Sequence, residues 1–500
     1  MRIGGLASGM DIDQLVNKLM EAERMPLQKM QQDQTKLEWQ RDAFRDVNKE
    51  LASLDDMMLN MKMSSTYNSK TVNSSNESAI SATAGSSTPE GFYQIEVESL
   101  ATSAINISAE ELDLDVTESL DDHTGIYEFK TYDKNGEERE HKVEINEGDT
   151  INDVLKRISD DDNDVRAFYD AQSNKVIMEA TRTGDYNEDG NEIEFDGNTF
   201  FTDVLKLSSG IDENGDPITD ENGDLIGERG GENATFYYNG VEMTSKNNSY
   251  ELNGVNFQFN DTGSANLTVS NDVDAAFDSI MEFVDKYNEV VDTLNGTQQE
   301  ERFRDYPPLT DEQKEEMSEK EIELWEEKAQ SGILRGESAI SNGLLSLRQS
   351  WYETVDTGGE YQSLTQIGIS TTSDYLDGGK LEVDEDTLKD ALRNNPDDVH
   401  RLFSNSDDGE SRGLVNRLED AVGSTISQIE NRAGKGTDTL EGYTLGKRLK
   451  DINDRIAAFE DRLVQKENRY WNQFTEMETA IQRMNTQSQQ LMSQFGGGMM

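Results

Sequence analysis

The chain has 500 residues, which is too long for a single hydrophobic core, so several domains are expected. It carries 102 acidic and 46 basic side chains, a formal net charge of −56, which disfavours nucleic acids and anionic membrane surfaces as partners. Cysteine is absent, which excludes disulfides, zinc thiolate sites and thiol nucleophiles.

The first residues, Met1 to Asp11, lack the continuous apolar core of a cleaved signal peptide. No run of the chain approaches the length of a membrane span, so membrane insertion is not expected. Taken alone, these two observations indicate a cytoplasmic protein. Export by a route that needs no cleaved signal is equally compatible with them.

A long helix is predicted from Asp11, an N-cap candidate followed by Gln14, and Pro26 predicts a break or kink in it. Apolar residues then recur at coiled-coil spacing, and two seam positions are polar, one at Asp33 or Gln34 and one at Gln40 or Arg41. A second helix is predicted from Leu445 to Phe495 by the same alternation. The apolar residues predicted to form a stalk that contacts other subunits are Leu15, Leu19, Met30, Leu37, Phe44, Leu463, Tyr470, Phe474, Met477, Ile481, Met484 and Leu491.

Each terminal helix has an apolar stripe that it cannot bury alone, so we expect the two ends of the chain to pair. The alternative is that each helix packs on its own neighbouring domain. The fold class expected is multidomain α+β, with a coiled-coil stalk, a helical bundle and two inserted β-rich head domains. The predicted bounds are 1–45 plus 445–500 for the stalk, 46–75 plus 274–444 for the bundle, 76–115 plus 232–273 for the β-rich domain and 116–231 for the inserted α/β domain with acidic loops.

Signals for catalysis are weak. His123, His141 and His400 stand among charged neighbours and are interpreted as surface residues. No nucleophile elbow, zinc-protease helix or phosphate-binding loop occurs in the sequence. We therefore expect no catalytic residues, no cofactor and no enzymatic activity.

One acidic segment follows the pattern of an EF-hand calcium loop. Oxygen ligands stand at loop positions occupied by Asp185, Asn187, Asp189 and Asp196, with Gly190 at the position of the sharp turn. The last position is Asp where a bidentate Glu is usual, and the flanks read as strand or turn. Calcium binding is thus one interpretation, and a hairpin with acidic tips is the simpler one.

Several motifs resemble the flagellar filament cap family, also called hook-associated protein 2. They comprise Arg2 to Leu27, Trp39-Gln40-Arg41, Ser65 to Asn68, Ile367 to Ser370, Asn395 to Val399 and Arg469 to Thr475. In the middle, Gly148 to Ile151 through Thr181 to Gly184 resembles a repeat of hook and flagellin head domains. Residues 185–231 resemble nothing known to us.

The resemblance implies a secreted, extracellular protein at the tip of the flagellum that promotes the insertion of flagellin and prevents its loss. The partners it implies are flagellin, further copies of the chain in a ring of about five, a flagellar export chaperone and the hook-filament junction proteins. A runner-up is another filament component, such as flagellin or a junction protein. The alternative from another class is an extracellular adhesin or a calcium-dependent binding module on the flagellum.

Overall fold

The computed structural model describes residues 11–187, 190–195, 200–208 and 227–496 of the chain. These residues form two compact units. Unit 1 contains the described residues up to Tyr67 and from Val273 onward, and unit 2 contains the described residues from Asn68 to Asp272. Unit 2 is therefore an insertion between two parts of unit 1.

The secondary structure alternates between long helices in unit 1 and short strands in unit 2. The helices are α1 (Ile12–Lys62), α2 (Ser64–Tyr67), α3 (Ile151–Asp160), α4 (Val273–Gln299), α5 (Asp311–Glu315), α6 (Glu319–Gln330), α7 (Ser338–Gln349), α8 (Glu385–Asn394), α9 (Pro396–Ser404), α10 (Leu414–Ala433) and α11 (Thr444–Gly496). The strands are β1 (Lys70–Ser74), β2 (Ile80–Ala84), β3 (Gly91–Ser99), β4 (Ser103–Ile107), β5 (Gly125–Tyr132), β6 (Glu138–Ile145), β7 (Val165–Asp170), β8 (Lys175–Thr183), β9 (Glu228–Arg229), β10 (Ala234–Tyr238), β11 (Val241–Ser245), β12 (Ser249–Leu252), β13 (Val255–Phe259), β14 (Gly263–Asn271), β15 (Ile369–Thr371) and β16 (Leu381–Val383).

Helix α1 begins where the sequence predicts. The backbone N–H of Gln14 donates to the carboxylate of Asp11 at 2.9 Å, so the predicted N-cap is confirmed. The helix then runs without interruption through Pro26, so the break is wrong, while the kink that was its alternative stays a prediction. Proline inside a helix removes one hydrogen bond at a cost of about 3 kcal/mol. Packing of Met20 before it and Leu27 after it on the opposite helix offsets that cost.

The core of unit 1 is a helical bundle. The second half of α1 contributes a buried stripe at steps of three and four residues, which packs against α4, α7 and α10. Its members are Phe44, Val47, Leu51, Leu54, Met58 and Met61. Because α1 continues beyond this stripe toward its N-terminus, one helix joins the bundle to the paired terminal helices.

Unit 2 contains two layers of antiparallel strands and an inserted body. The first layer has the strand order β1-β14-β3-β10-β11, and the second has β12-β13-β2. The inserted body has the order β7-β8-β4-β9, the hairpin β5-β6 and helix α3, which starts with a capping box between Thr150 and Asp153. The Asn239-Gly240 and Asn253-Gly254 pairs adopt positive φ at the turns of the hairpins β10-β11 and β12-β13, as Asn-Gly turns require.

The strand pairing differs from the predicted bounds at two places. Strand β1 pairs with β14, so Lys70–Ser74 lie in the large sheet of unit 2 and not in the helical bundle. Strand β4 pairs with β8 and β9, so Ser103–Ile107 complete the sheet of the inserted body and not that of the β-rich domain. Both strands pair with partners remote in sequence, which local patterns do not specify. The remaining bounds stay predictions.

A core substitution in α1 tests this packing. Leu54 is fully buried whereas Leu59, on the same helix, is 61% exposed. We expect Leu54→Ala to lower the free energy of unfolding of unit 1 by about 2–5 kcal/mol, because it leaves a cavity. The four tryptophans, Trp39, Trp325, Trp351 and Trp471, all lie in unit 1, so tryptophan fluorescence in a denaturant titration follows that unit.

Leu59→Ala is the control, with an expected change in the free energy of unfolding under about 0.5 kcal/mol. Equal effects of the two variants would contradict the described core.

Candidate assembly surface on the terminal helices

Helices α1 and α11 pack against each other in antiparallel orientation. The carboxylate of Glu23 accepts hydrogen bonds from the ammonium of Lys466 and, at 3.1 Å, from the hydroxyl of Tyr470. Eleven residues later in α1, the Gln34 amide donates to the Asn453 side-chain oxygen at 2.9 Å. Residue numbers rise along α1 while those of the contacting residues fall along α11, so the helices are antiparallel. The two ends of the chain therefore lie side by side, as predicted.

The seam between the two helices is apolar. Ile12, Val16, Met20 and Leu463 are buried in it. Side chains packed against them and half-buried are Leu27, Phe459, Tyr470, Trp471 and Phe474. The buried residues of α1 recur at steps of four, so one stripe of the helix faces α11.

The predicted stalk residues fall into three groups. Leu463, Tyr470 and Phe474 belong to the seam. Phe44 is buried in the bundle core, Leu37 packs against that core, and Met30 and Ile481 are half-buried. The other five are exposed: Leu15, Leu19, Met477, Met484 and Leu491. Ile12, Val16 and Met20, and not Leu15 and Leu19, therefore form the seam.

The five exposed residues define what we call the apolar assembly face. Leu15 and Leu19 are 43% and 38% exposed, and Met484 and Leu491 are 61% and 54% exposed. Met477, Met484 and Leu491 recur every seven residues, the spacing that lets a helix pack along another helix. This heptad row is a surface along which a further helix can pack.

Helix α11 is longer than the part of α1 that pairs with it. The contacts of Glu23 and Gln34 place Ile12 opposite roughly residue 479, so about 17 residues of α11, or ~25 Å of helix, extend beyond the first residue of α1. The prediction that the pairing continues to Phe495 is thus wrong for the described residues. Met484 and Leu491 lie on this extension.

The polar positions of the predicted seam behave differently from one another. Gln34 faces α11 and bonds to Asn453, so the prediction of a polar seam position is correct there. Gln40 instead donates to Glu337 at 2.7 Å and faces the bundle, while Arg41 pairs with Asp42 at 2.8 Å. At the far end, hydrogen bonds from Lys466 and then Tyr470 lower the pKa of Glu23 below its ordinary value, which keeps this carboxylate charged beside Lys466.

The predicted calcium ligands are described only in part. The Asp185 carboxylate accepts the backbone N–H of Asn187 at 3.1 Å. The Asn187 amide donates to the backbone oxygen of Asn191 at 2.7 Å. Asp189 and Asp196 lie outside the described residues. In the described part of the chain no three acidic or histidine side chains converge as metal ligands, and calcium binding stays a prediction.

Two of the three histidines are not the surface residues that the sequence suggested. His141 is buried, and its Nε2 lies 2.7 Å from the Thr131 hydroxyl. Burial, with a smaller contribution from the charge of Arg139, lowers the pKa of His141. His400 is half-buried, and its ring lies 5.3 Å from that of Tyr67. Both rings have the packing of structural residues.

Two protein-family models match this chain, one on each side of the inserted body. Residues 8–104 match the family model for the N-terminus of flagellar hook-associated protein 2, and residues 231–486 match the model for its C-terminus. The flagellar hook-associated protein 2 of Halalkalibacterium halodurans is 36% identical, over 99% of this chain and 100% of the relative. The chain belongs to the flagellar hook-associated protein 2 family.

Further relatives extend this similarity across species. Flagellar hook-associated protein 2 of Thermotoga maritima is 24% identical over 97% of this chain and 94% of its own length. The crystal structure of domains D1-D2-D3 of the flagellar cap protein FliD from Escherichia coli covers 82% of this chain and 99% of that chain, with a TM-score of 0.56 and 18% identity. At that identity the structural match shows the fold, which is the predicted multidomain α+β architecture.

Membership of the flagellar hook-associated protein 2 family also decides the class of function. The family is one of structural flagellar proteins, so the prediction that the chain is not an enzyme is confirmed. The adhesin alternative receives no support from these matches. In the described part of the chain no helix is both long enough and apolar enough to cross a membrane.

The helix pairing can be tested by cross-linking, because the chain has no cysteine of its own. Gln34→Cys combined with Asn453→Cys should be joined rapidly by a bismaleimide of about 10 Å, since packed helices lie 8–10 Å apart. The measurement is the shift in electrophoretic mobility of the looped chain. Gln34→Cys with Asp451→Cys is the control, because Asp451 is exposed and two residues away on the helix. Equal cross-linking of both pairs would contradict the register.

A buried carboxylate in unit 2 predicts a pH dependence. Glu228 accepts the backbone N–H groups of Glu192 and Ile193 at 2.6 and 2.9 Å, yet burial outweighs these bonds and raises its pKa to about 8 from 4.5. Folding therefore favours the protonated form, and the stabilising contribution of this group should fall as pH rises from about 4.5 to about 8. Glu228→Gln should flatten this fall in the calorimetric transition of unit 2. Glu232→Gln, at an exposed site, should leave it unchanged, and an unaltered profile in the Glu228 variant would refute the assignment.

Proposed function

We propose that this chain forms the cap at the distal end of the flagellar filament, where it promotes the insertion and polymerisation of exported flagellin and prevents its loss. The observation that carries the proposal is the apolar assembly face on a helix pair built from both ends of the chain. A folded chain that exposes this face as a monomer gains stability when other subunits cover it.

Self-association into a ring is the first part of this proposal. Burying one fully exposed large apolar side chain contributes about 1.5–3 kcal/mol. The five residues of the assembly face are about half exposed, so together they provide roughly 4–7 kcal/mol, near the lower end of the cost of associating two chains, about 4–15 kcal/mol. Several copies that cover one another's faces add these contributions. Closed symmetry is the usual result when copies of one chain associate.

Contact with flagellin is the second part. The extension of α11 carries Met484 and Leu491 beyond the start of α1, where a helix of another subunit can lie against them. The polar pair Gln34–Asn453 lies between the apolar seam and the bundle core and leaves the helix pairing weaker there than an apolar contact would. A seam of this kind can shift its register when a flagellin subunit enters beneath the cap.

Export to the outside of the cell is the third part. The chain lacks cysteine, so its fold depends on packing and needs no oxidation after export. We propose a secreted, extracellular location at the flagellar tip, with an export chaperone and the hook-filament junction proteins as further partners. Family membership supports these partners through the flagellar role of the relatives.

A deletion strain tests the proposal. Without the gene, cells should shed unpolymerised flagellin into the medium, and the wild-type gene should restore filaments. Met484→Glu combined with Leu491→Glu should fail to restore them, because charge on the assembly face opposes burial. Filament length by electron microscopy and flagellin in the medium by immunoblot are the measurements.

The matched control replaces exposed apolar residues elsewhere in unit 1. Leu59 and Leu324 are 61% and 51% exposed but do not belong to the assembly face. Leu59→Glu with Leu324→Glu should restore filaments as well as the wild type does. Normal filaments in the deletion strain itself would overturn the cap function, and normal filaments with the assembly-face variant would overturn the role of that face.

A further inference from the structure

A positively charged pocket stands out on this strongly acidic chain. Its volume is about 280 Å³, and it lies in unit 1 between the first half of α1 and the segment that joins α4 to α5. Four basic residues line it: Lys29, Lys36, Arg302 and Arg304. Asp33 is the single acidic residue of the lining. We call this site the cation pocket.

The ion pairing of the four cations is incomplete, although the charge of Asp33 acts on Lys36 as well as on Lys29. Lys29 pairs with Asp33 at 3.5 Å. Among the described residues, Lys36, Arg302 and Arg304 make no ion pair, in a chain that has more than two acidic side chains for each basic one. Burial and, after it, the charge of Arg302 lower the pKa of Lys36. Like charges held together in this way repel each other, and a bound anion would relieve the repulsion.

The wall of the cation pocket is held in place at both ends. On one side, the Ser331 hydroxyl donates to the Glu301 backbone oxygen at 2.6 Å, and Arg335 donates to the Glu300 backbone oxygen at 3.0 Å. On the other, the Trp325 indole N–H donates to the Pro307 oxygen at 2.8 Å. Arg302 and Arg304 thus project from a segment fixed against α6, and the pocket exists before any partner binds.

Aromatic and proline residues give the cation pocket an apolar floor. Tyr306 packs on Trp325 with 4.7 Å between ring centroids, and the Lys328 ammonium lies 4.7 Å from the centre of the Tyr306 ring. Pro307 and Pro308 complete this side. A partner side chain with a short apolar stem and a terminal carboxylate, such as Glu or Asp on a peptide surface, matches both parts of the pocket.

We propose that the cation pocket is a docking site for an acidic surface of a second copy of this chain, a contact that rests on the homo-oligomeric cap proposed above. Copies with a charge of −56 repel each other, so a place where opposite charges meet lowers the electrostatic cost of their association. The cation pocket supplies such a place, and carboxylates are abundant on every neighbouring copy. It therefore acts together with the apolar assembly face, one site providing apolar burial and the other relieving repulsion.

Sedimentation velocity of the purified full chain tests the proposal. The pocket variant is Lys36→Gln, Arg302→Gln and Arg304→Gln, and its dissociation constant for self-association should rise at least about tenfold over that of the wild type. The control neutralises three exposed basic residues that do not line the pocket: Lys134→Gln, Arg229→Gln and Lys447→Gln. A charge-conserving variant, Lys36→Arg, Arg302→Lys and Arg304→Lys, should associate within about threefold of the wild type.

The outcomes separate this inference from the cap proposal. Wild-type affinity in the pocket variant would overturn the docking site and leave the homo-oligomer standing, whereas a wild-type chain that stays monomeric would overturn the homo-oligomer itself. An equal loss in the control would show a general charge effect and also overturn the docking site. Tryptophan fluorescence checks the fold of unit 1, and Arg304→Gln alone, at an exposed position, must still weaken association. Rising salt should reduce the difference in affinity between the wild type and the pocket variant, because it screens the attraction that only the wild type has.

Discussion

The antiparallel packing of α1 on α11 holds the beginning and the end of the chain in one unit, because neither helix can bury its apolar stripe alone. Val16 and Leu463 are buried by this contact, and Glu23 with Lys466 and Tyr470 fixes its register. Because both ends of the chain belong to unit 1, any domain formed by the residues between the two helices must begin and end at unit 1. Unit 2 is accordingly an insertion, and the bundle core around Phe44 and Leu54 continues the helix that begins in the seam.

Packing has to provide all of the stability, since no disulfide is available and the net charge opposes compaction. The described residues form four separate hydrophobic cores. They lie in the bundle, in the two packed sheets, in the inserted body and, as a small one, in the terminal seam. The seam core is the smallest and retains the polar Gln34–Asn453 pair. The terminal seam thus has the smallest core of unit 1, and elements that move are generally drawn from regions of low local stability.

The periodicity and the capping residue made the long helices predictable. Asp11, the α1 stripe from Val47 to Met61 and the seam residue Leu463 lie where the sequence indicated, whereas Phe44, predicted for the stalk, lies in the bundle core. Strand partners that are remote in sequence were not predictable. For this reason the structure places β1 and β4 in other domains than the ones predicted for them. The acidic region after Gly184 was interpreted as loops, yet Ile193, Phe200 and Phe201 belong to the core of the inserted body. Their irregular spacing among Gly, Asn and Asp residues carries no period that would reveal burial.

The choice of seam residues in α1 shows what a helical pattern leaves undetermined. Ile12, Val16 and Met20 form one stripe, and Leu15 and Leu19 form another, only three residues displaced along the same helix. Either stripe satisfies the coiled-coil pattern, so the sequence alone does not decide which one the partner helix covers. The structure assigns the first to α11 and leaves the second exposed. Leu15 and Leu19 therefore stay exposed on α1, and this second stripe is the part of the helix that the contacts of the proposed cap would cover.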